Sequence, residues 1–319
     1  MAVAAMALTS CNVIYEYDNC PPYDVEYFSI RNDWSEAPDA EPEGMAYIFF
    51  PDDGGAFWRF DFPGREAGRV GLPAGSYSYI SYNDDTHNTL FREDSYAGYE
   101  AYTLPTELER MFGRAEDVPE INERVLRSPD MIWAEAYSAV ELSYNRLAYN
   151  PSATGGEGTE TVALADMTLP SVPRRMVARY SYRIEDVENL SGVARMCAAM
   201  SGLAGSLNLV TGARGREAVT VPSPAKADAG KTGITGSFYT FGLPGAGESP
   251  NILCLYVWLT DGRKLNFSFD VSEQVRTAPD PMDVEVVVRG LHIPESEISG
   301  GAFDVNVDGW INVVVNIKV

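Results

Sequence analysis

Histidine and cysteine, the residues that most often hold metals or activate nucleophiles, are scarce in this sequence. Its 319 residues include two histidines, His87 and His292, too far apart in the chain to form a local motif. The four cysteines contain no Cys-x-x-Cys pair, so no zinc site is encoded. We therefore expect neither an enzyme nor a bound cofactor.

Positive charge is also in short supply. The sequence has 46 acidic residues against 24 basic ones, only four of them lysines, and its formal net charge is −22. A surface of this sign repels phosphate backbones and anionic head groups, which excludes nucleic acid and polybasic membrane docking. Apolar residues still make up 45% of the chain, enough for a hydrophobic core.

No apolar run approaches the length of a transmembrane helix. The apolar stretch at the amino terminus, Met1 to Leu8, fits the short apolar region of a secretory signal. It leads into Leu8-Thr9-Ser10-Cys11, which resembles a bacterial lipobox, although no Lys or Arg precedes it. We predict a signal peptide over residues 1–10 and lipid attachment at Cys11. The alternative is a cytoplasmic protein with an incidental cysteine.

The remaining cysteines are three, Cys20, Cys197 and Cys254. Cys197 and Cys254 lie in apolar stretches, where an unpaired cysteine packs as a small hydrophobe. We expect core packing rather than a disulfide for them.

Alternation with period two is the main structural signal. Odd positions are apolar from Phe303 to Val307 and from Ile311 to Val319, and even positions are apolar from Met176 to Ile184. Strands facing a core on one side show this pattern. Leu253–Leu259 and Leu265–Val271 flank an Asp261-Gly262 pair, which predicts a hairpin with a type I′ turn. The fold class is therefore all-β.

Helices are expected to be few and short. Pro105–Phe112 is a candidate surface helix, and Val193–Ala204 is a second candidate interrupted by Gly202. The length predicts two domains of roughly 150 residues each. Weak patterning near residue 170 places the boundary there. We predict a tether over 11–22 and two antiparallel β-sandwich domains, 23–170 and 171–319.

Two surface features offer candidate binding sites. Trp58, Tyr77, Tyr79 and Tyr82 are aromatic residues at strand spacing that could stack on a sugar, although such residues are more often core. An acidic run has no Lys or Arg among its members, and it could bind calcium or form a glycosidase pair, although a solvated loop is the simpler interpretation. Its members are Asp33, Glu36, Asp39, Glu41, Glu43, Asp52 and Asp53.

Several motifs, taken in order, resemble a known group of proteins. The Leu-Pro-x-Gly-x-Tyr element within Gly71–Asn83, preceded by Gly44–Pro51, is similar to the first domain of fimbrillin-like and fimbrial-anchor lipoproteins of Bacteroidales-type bacteria. Ser201–Ala204, Phe241-Gly242 and Gly300–Val305 resemble an uncharacterised lipoprotein family allied to them. The resemblance implies two transthyretin-like sandwiches, outer-membrane export, lipidation at Cys11, pilus or surface subunits as partners, and no cofactor or catalytic residue.

The function that follows is a lipid-anchored surface protein that acts by protein contact, as a fimbrial anchor or accessory subunit. Strand addition at a sheet edge is the expected mode of contact. The terminal strand Ile311–Val319 is the candidate for exchange, and an ordinary sandwich strand is the alternative. A surface lipoprotein that binds glycans through Trp58, Tyr77, Tyr79 and Tyr82 is the alternative function.

Overall fold

The computed structural model is built almost entirely from β-strands, as the alternation predicts. It describes residues 25–92, 95–106, 123–144, 146–150, 162–164, 167–245, 249–296 and 310–314. Within these ranges lie 23 strands, one five-residue α-helix and a short 3₁₀ turn. The fold class is confirmed.

The first part of the chain supplies thirteen strands. In chain order they are β1 (Val25–Asn32), β2 (Gly44–Pro51), β3 (Trp58–Pro63), β4 (Arg69–Pro73), β5 (Gly75–Asn83), β6 (Thr89–Arg92), β7 (Glu100–Thr103), β8 (Arg124–Val125), β9 (Trp133–Ser143), β10 (Arg146–Asn150), β11 (Val162–Leu164), β12 (Thr168–Ser171) and β13 (Arg174–Arg175).

The second part supplies ten more strands and the helix. The strands are β14 (Ala178–Glu185), β15 (Val193–Ala204), β16 (Ser206–Asn208), β17 (Ala218–Pro224), β18 (Lys226–Ala227), β19 (Ile234–Thr240), β20 (Ile252–Leu259), β21 (Lys264–Asp270), β22 (Asp283–Arg289) and β23 (Trp310–Val314). The 3₁₀ turn is Leu190–Gly192, and the helix, α1, is Ser272–Arg276.

These strands form five sheets. Sheet A has the order β12-β1-β4, and sheet B has the order β11-β10-β9-β5-β2-β3 with β13 attached to β9. Sheet C is β16-β7-β6, sheet D is β18-β19-β14-β22, and sheet E is β23-β21-β20-β15-β17-β8. Most neighbouring strands are antiparallel. The parallel pairs are β1 with β12, β14 with β22, β17 with β8 and β21 with β23.

Two hydrophobic cores lie between pairs of sheets, one between sheets A and B and the other between sheets D and E. Sheets A and B contribute Phe28, Leu72, Tyr47 and Tyr79 to the first core. Sheets D and E enclose the second core, in which β14 buries Ala178, Tyr180, Tyr182 and Ile184 as the alternation predicts. Burying apolar surface on one face of each sheet is the main stabilising term in such an arrangement.

A third core joins the two parts of the chain. Ala46, Ile48 and Tyr82, on the other face of sheet B, pack with Leu207 and Phe241 from beyond residue 170. Sheet C pairs β7 with β16, and sheet E pairs β8 with β17. The described strands therefore cross the predicted boundary near residue 170, and the division into domains 23–170 and 171–319 stays a prediction.

The helix predicted over Val193–Ala204 is wrong, because this segment forms strand β15. Ala198 and Met200 face the core between sheets D and E, whereas Cys197 and Ala199 face a small apolar cluster on the other side of sheet E. A strand buried on both faces is apolar at successive positions, so the alternation disappears. Alanine and methionine also favour helices, which made the sequence misleading.

The hairpin predicted around Asp261-Gly262 is present, but its turn is not type I′. Leu259 N donates to Arg263 O at 2.9 Å, which leaves three residues in the loop. Only Gly262 among them has a positive φ, of 91°, whereas a type I′ turn needs two such residues. Elsewhere, Pro105 forms an isolated bridge with Leu126, and the rest of the predicted helix Pro105–Phe112 lies outside the described residues apart from Thr106.

Candidate functional site

The predicted lipid-attachment residue Cys11, like Cys20, lies outside the described residues. Cys197 and Cys254 form no disulfide with each other, and their burial confirms that they pack in the core. Burial raises the pKa of the Cys197 thiol far above its usual range, and nearby Arg195 opposes this only in part. A thiol held neutral in this way is a poor nucleophile.

Three of the four aromatic residues proposed as a sugar platform are core residues. Tyr77, Tyr79 and Tyr82 are 4%, 0% and 1% exposed, whereas Trp58 is 38% exposed. Tyr79 stacks on Tyr137 with ring centroids 5.7 Å apart. The Tyr82 hydroxyl accepts a hydrogen bond from Tyr99 at 2.8 Å. These tyrosines are held inside by the cores on both faces of sheet B, so the four residues do not present an exposed stacking surface.

Tyr77 explains the Leu-Pro-x-Gly-x-Tyr element in physical terms. Leu72 is fully buried in the core between sheets A and B. The Tyr77 hydroxyl donates to Pro73 O at 2.8 Å, so the ring folds back over the turn that joins β4 to β5. A Cβ at Gly75 would come within 3.6 Å of that ring. Contacts within the chain therefore account for the motif, which stabilises this turn.

The acidic run forms exposed turns. All seven carboxylate residues are exposed to solvent. Asp33 accepts a hydrogen bond from Ser35 N at 2.9 Å, and Asp52 accepts one from Ser78 Oγ at 3.1 Å. Within the part of the chain that the structure describes, no three His, Cys, Asp or Glu residues converge as metal ligands.

Glu135 is a buried acid that the sequence did not single out. It lies on β9, is 7% exposed, and is directly opposite Ser81 on β5. Burial raises the pKa of its carboxyl group to about 7, and the charge of Arg174 counteracts part of this rise. Its cross-strand neighbour Ser81 shares a hydrogen bond with Ser171 at 2.9 Å. A buried carboxyl group whose pKa differs between the folded and unfolded chain makes the stability of the protein depend on pH.

The outer face of sheet D carries a polar groove of about 410 Å³. Arg179, Arg183 and Lys226 line it together with Glu285 and hydroxyl side chains. Arg183 lies 3.0 Å from Glu185 and 3.6 Å from Glu285. A concentration of cations stands out in a chain whose net charge is −22. Such a groove can receive carboxylates of a protein partner.

Two strand edges complete the candidate contact surfaces. Strand β23 is the last strand of sheet E and runs parallel to β21, with Lys264 opposite Trp310 and Ser268 opposite Val314. It begins one residue before the predicted start, and residues 315–319 and the predicted strand at 303–307 lie outside the described ranges. Strand β22 is an edge strand of sheet D among the described strands. Edges of this kind present main-chain donors and acceptors to a partner.

The fold and its surfaces define a class: an all-β protein whose candidate sites are sheet edges and faces suited to contact with other macromolecules. The chain belongs to the family described as domain of unknown function DUF5119, whose model matches residues 13–223. Among the described residues, no helix is long and apolar enough to cross a membrane.

Similar proteins carry names from fimbriae and adhesion. A Bacteroides ovatus protein provisionally named fimbrium anchoring subunit Fim4B is 25% identical over 96% of this chain and 92% of its own. A crystal structure of a provisionally described adhesin from Bacteroides ovatus has a TM-score of 0.63 at 21% identity, covering 92% of this chain and all of its own. The fimbrial anchor protein Mfa2 from Porphyromonas gingivalis has a TM-score of 0.45 at 12% identity, covering 82% of this chain and 89% of its own. The predicted resemblance to fimbrial anchors is confirmed.

Proposed function

We propose that this protein is a cell-surface subunit of a fimbrium, acting as its anchor or as an accessory subunit through protein contact. The observation that carries the proposal is the similarity to the fimbrium anchoring subunit over 96% of the chain and 92% of that protein. The strand edges and the cationic groove of sheet D support it, because they offer contact surfaces of the kind that such a subunit needs.

The proposal includes a lipid at Cys11 that holds the protein in the outer membrane. The lipobox-like Leu8-Thr9-Ser10-Cys11 supports this part. Two or more acyl chains anchor a protein stably, whereas one chain does so only marginally. Membrane attachment would then need no basic surface, which is consistent with the net charge of −22.

Strand β23 is the proposed donor of a strand to a partner subunit. Among the described strands it pairs with β21 alone, so its departure breaks one described ladder. Parallel pairing is slightly less stable per residue than antiparallel pairing, which favours β23 over the interior strands of sheet E for exchange.

Affinity capture from the native cell surface tests the function. The full chain should retain a fimbrial subunit after cross-linking, and it should do so from the membrane fraction. A variant that ends at residue 309 removes β23 and should lose the partner, whereas a variant that ends at residue 314 keeps β23 and should capture it. Equal capture by both variants contradicts strand donation by β23, and recovery of no fimbrial subunit by the full chain contradicts the function.

The same experiment separates the anchor from the contact. Cys11→Ala should move the protein from the membrane fraction to the soluble fraction. Cys197→Ala, which changes a buried thiol, is the control and should leave the protein on the membrane. If Cys11→Ala stays with the membrane, the lipid attachment is wrong even where the partner is still captured.

A further inference from the structure

Strand β22 has one side of its backbone turned away from sheet D. Arg179 N donates to Met282 O at 2.9 Å, and Gly290 N donates to Glu185 O at 3.0 Å, so even-numbered residues of this strand bond to β14. Alternate residues of a strand direct their N–H and C=O groups to opposite sides. The N–H and C=O groups of Glu285, Val287 and Arg289 therefore point away from β14, to the side where no described strand pairs with them.

The side chain of Gln274 occupies the centre of this edge. Its Nε2 donates to Val287 O at 2.9 Å, and its Oε1 accepts from Val287 N at 2.8 Å. A side-chain amide carries the same donor and acceptor as a peptide group. Gln274 thus makes the two hydrogen bonds that a neighbouring strand would make at Val287. The next residue, Val275, is 4% exposed and fixes α1 in the core between sheets D and E.

The sequence of the edge is complementary to itself. Residues 285–289 read Glu-Val-Val-Val-Arg. If two copies pair in antiparallel orientation about Val287, each Glu285 lies opposite Arg289 of the other copy. The two outward N–H and C=O groups of Val287 then bond to those of the second Val287, as directly opposed residues do in a hydrogen-bonded pair.

Both charged side chains are accessible for such pairing. The side chain of Glu285 is 61% exposed and that of Arg289 is 69% exposed. Within the chain, Glu285 lies 3.6 Å from Arg183 and Arg289 lies 2.9 Å from Glu185. These exposed ion pairs contribute little to stability and are readily exchanged for others.

We propose that the edge of β22 is a pairing site for a second copy of this chain, and that Gln274 keeps the site closed. The charge pattern selects the occupant, because a strand of one charge sign would match only one end of Glu285–Arg289. The proposal goes beyond the function proposed above, since it concerns contact between identical chains.

Substitution of Gln274 tests the closure. Sedimentation velocity over about 1 to 300 μM should show self-association at least about tenfold stronger for Gln274→Ala than for the wild type. Glu273→Ala changes an exposed residue of the same helix and should behave as the wild type. Gln274→Ala with Val275→Ala also removes the apolar contact of α1 with the core and should associate at least as strongly as Gln274→Ala.

Hydrogen exchange shows whether the edge of β22 has been uncovered, even where no self-association is seen. The Val287 amide should exchange faster in Gln274→Ala than in the wild type at concentrations where both are monomeric. If that amide exchanges faster, and Gln274→Ala and Gln274→Ala with Val275→Ala both stay monomeric over the whole concentration range, the edge does not pair and the proposal is overturned.

Charge exchange tests the register. In the Gln274→Ala background, Glu285→Arg and Arg289→Glu each place like charges opposite one another in a pair of identical chains, and each should weaken association by about tenfold. An equimolar mixture of the two variants restores opposite charges at both positions and should restore association. Association that ignores either change would show that the chains meet elsewhere, which would refute pairing at this edge.

Discussion

Glu135 shows how one buried side chain makes the stability of this protein depend on pH. Burial raises the pKa of its carboxyl group to about 7 in the folded chain, whereas an unfolded glutamate titrates near about 4.3. The folded state therefore holds a proton that the unfolded state releases. The stabilisation is fully present below the unfolded pKa and is lost as pH rises through about 7.

We expect Glu135→Gln to remove most of this pH dependence. The wild type should lose on the order of 3 kcal/mol of unfolding free energy between pH 4.5 and 7.5 through this group, because the amide cannot ionise and the carboxyl can. Urea denaturation at several pH values measures the slope. Glu141→Gln, at an exposed position of the same strand, is the control and should retain the wild-type slope. An unchanged slope in Glu135→Gln would place the pH dependence elsewhere.

The sequence predicted single residues well where their surroundings are local. Cys197 and Cys254 lie in apolar stretches, and both are buried. The sugar platform failed because exposure of Tyr77, Tyr79 and Tyr82 depends on what covers each face of sheet B, which distant strands supply. Gln274 carried no sequence signal at all, since its partner Val287 is defined only by the packing of α1 against β22.

At the scale of elements, Gly202 allows β15 to follow its neighbours. The pairing of β15 with β17 shifts register between Met200 and Leu203, and Gly202 within that bulge has φ of 74°. A Cβ there would lie 2.5 Å from Pro250 O, a backbone atom that has little freedom to move. The position therefore requires glycine for both its conformation and its close contact.

Two alanine substitutions separate these requirements. Gly202→Ala should cost about 3 kcal/mol or more of unfolding free energy, since it adds a steric clash to the strain of a left-handed residue. Gly262→Ala should cost about 1 kcal/mol, because φ is 91° there but no atom lies within 4 Å of the added Cβ. Chemical denaturation of both variants gives the two values. Equal losses would mean that the backbone at Pro250 relaxes away from the methyl group.

Element type was predictable where one face of a strand is buried and the other is polar. β14 has this pattern and was predicted. The β20–β21 hairpin was also predicted, although β20 is buried on both faces, because the Asp261-Gly262 pair marks a turn between its two strands. β15 was mistaken for a helix because its two faces pack in different cores, which removes the polar positions that reveal a strand. The turn at Gly262 was assigned the wrong type, since Asp-Gly is compatible with several turns.

At the scale of the whole molecule, the third core couples the two parts of the chain. Tyr99 and Ala101 from one part are fully buried against Leu207 and Phe241 from the other. Strand pairing between the two parts of the chain reinforces this contact, because β7 pairs with β16 and β8 pairs with β17. An interface this apolar differs from the polar contacts that let domains move independently.

We expect one cooperative unfolding transition. Scanning calorimetry should give a single peak whose calorimetric and van't Hoff enthalpies agree. Phe241→Ala should lower the whole transition, with a loss of about 3 to 5 kcal/mol, because it opens a cavity in the shared core. Phe267→Ala, in the core between sheets D and E, is a matched change that should also move a single peak. Two resolved peaks in the wild type would contradict this expectation and would support two independently folding domains split near residue 170.

The sequence by itself determined the fold class, the strands with one buried face and the resemblance to fimbrial anchors. These follow from local information, because strand alternation repeats every two residues and short motifs close turns, as Tyr77 does over Gly75. Only the tertiary structure decided which strands are buried twice, which sheet edges are open, and that Gln274 closes one of them. These features depend on residues far apart in the chain that meet only when sheets pack, so no local pattern encodes them.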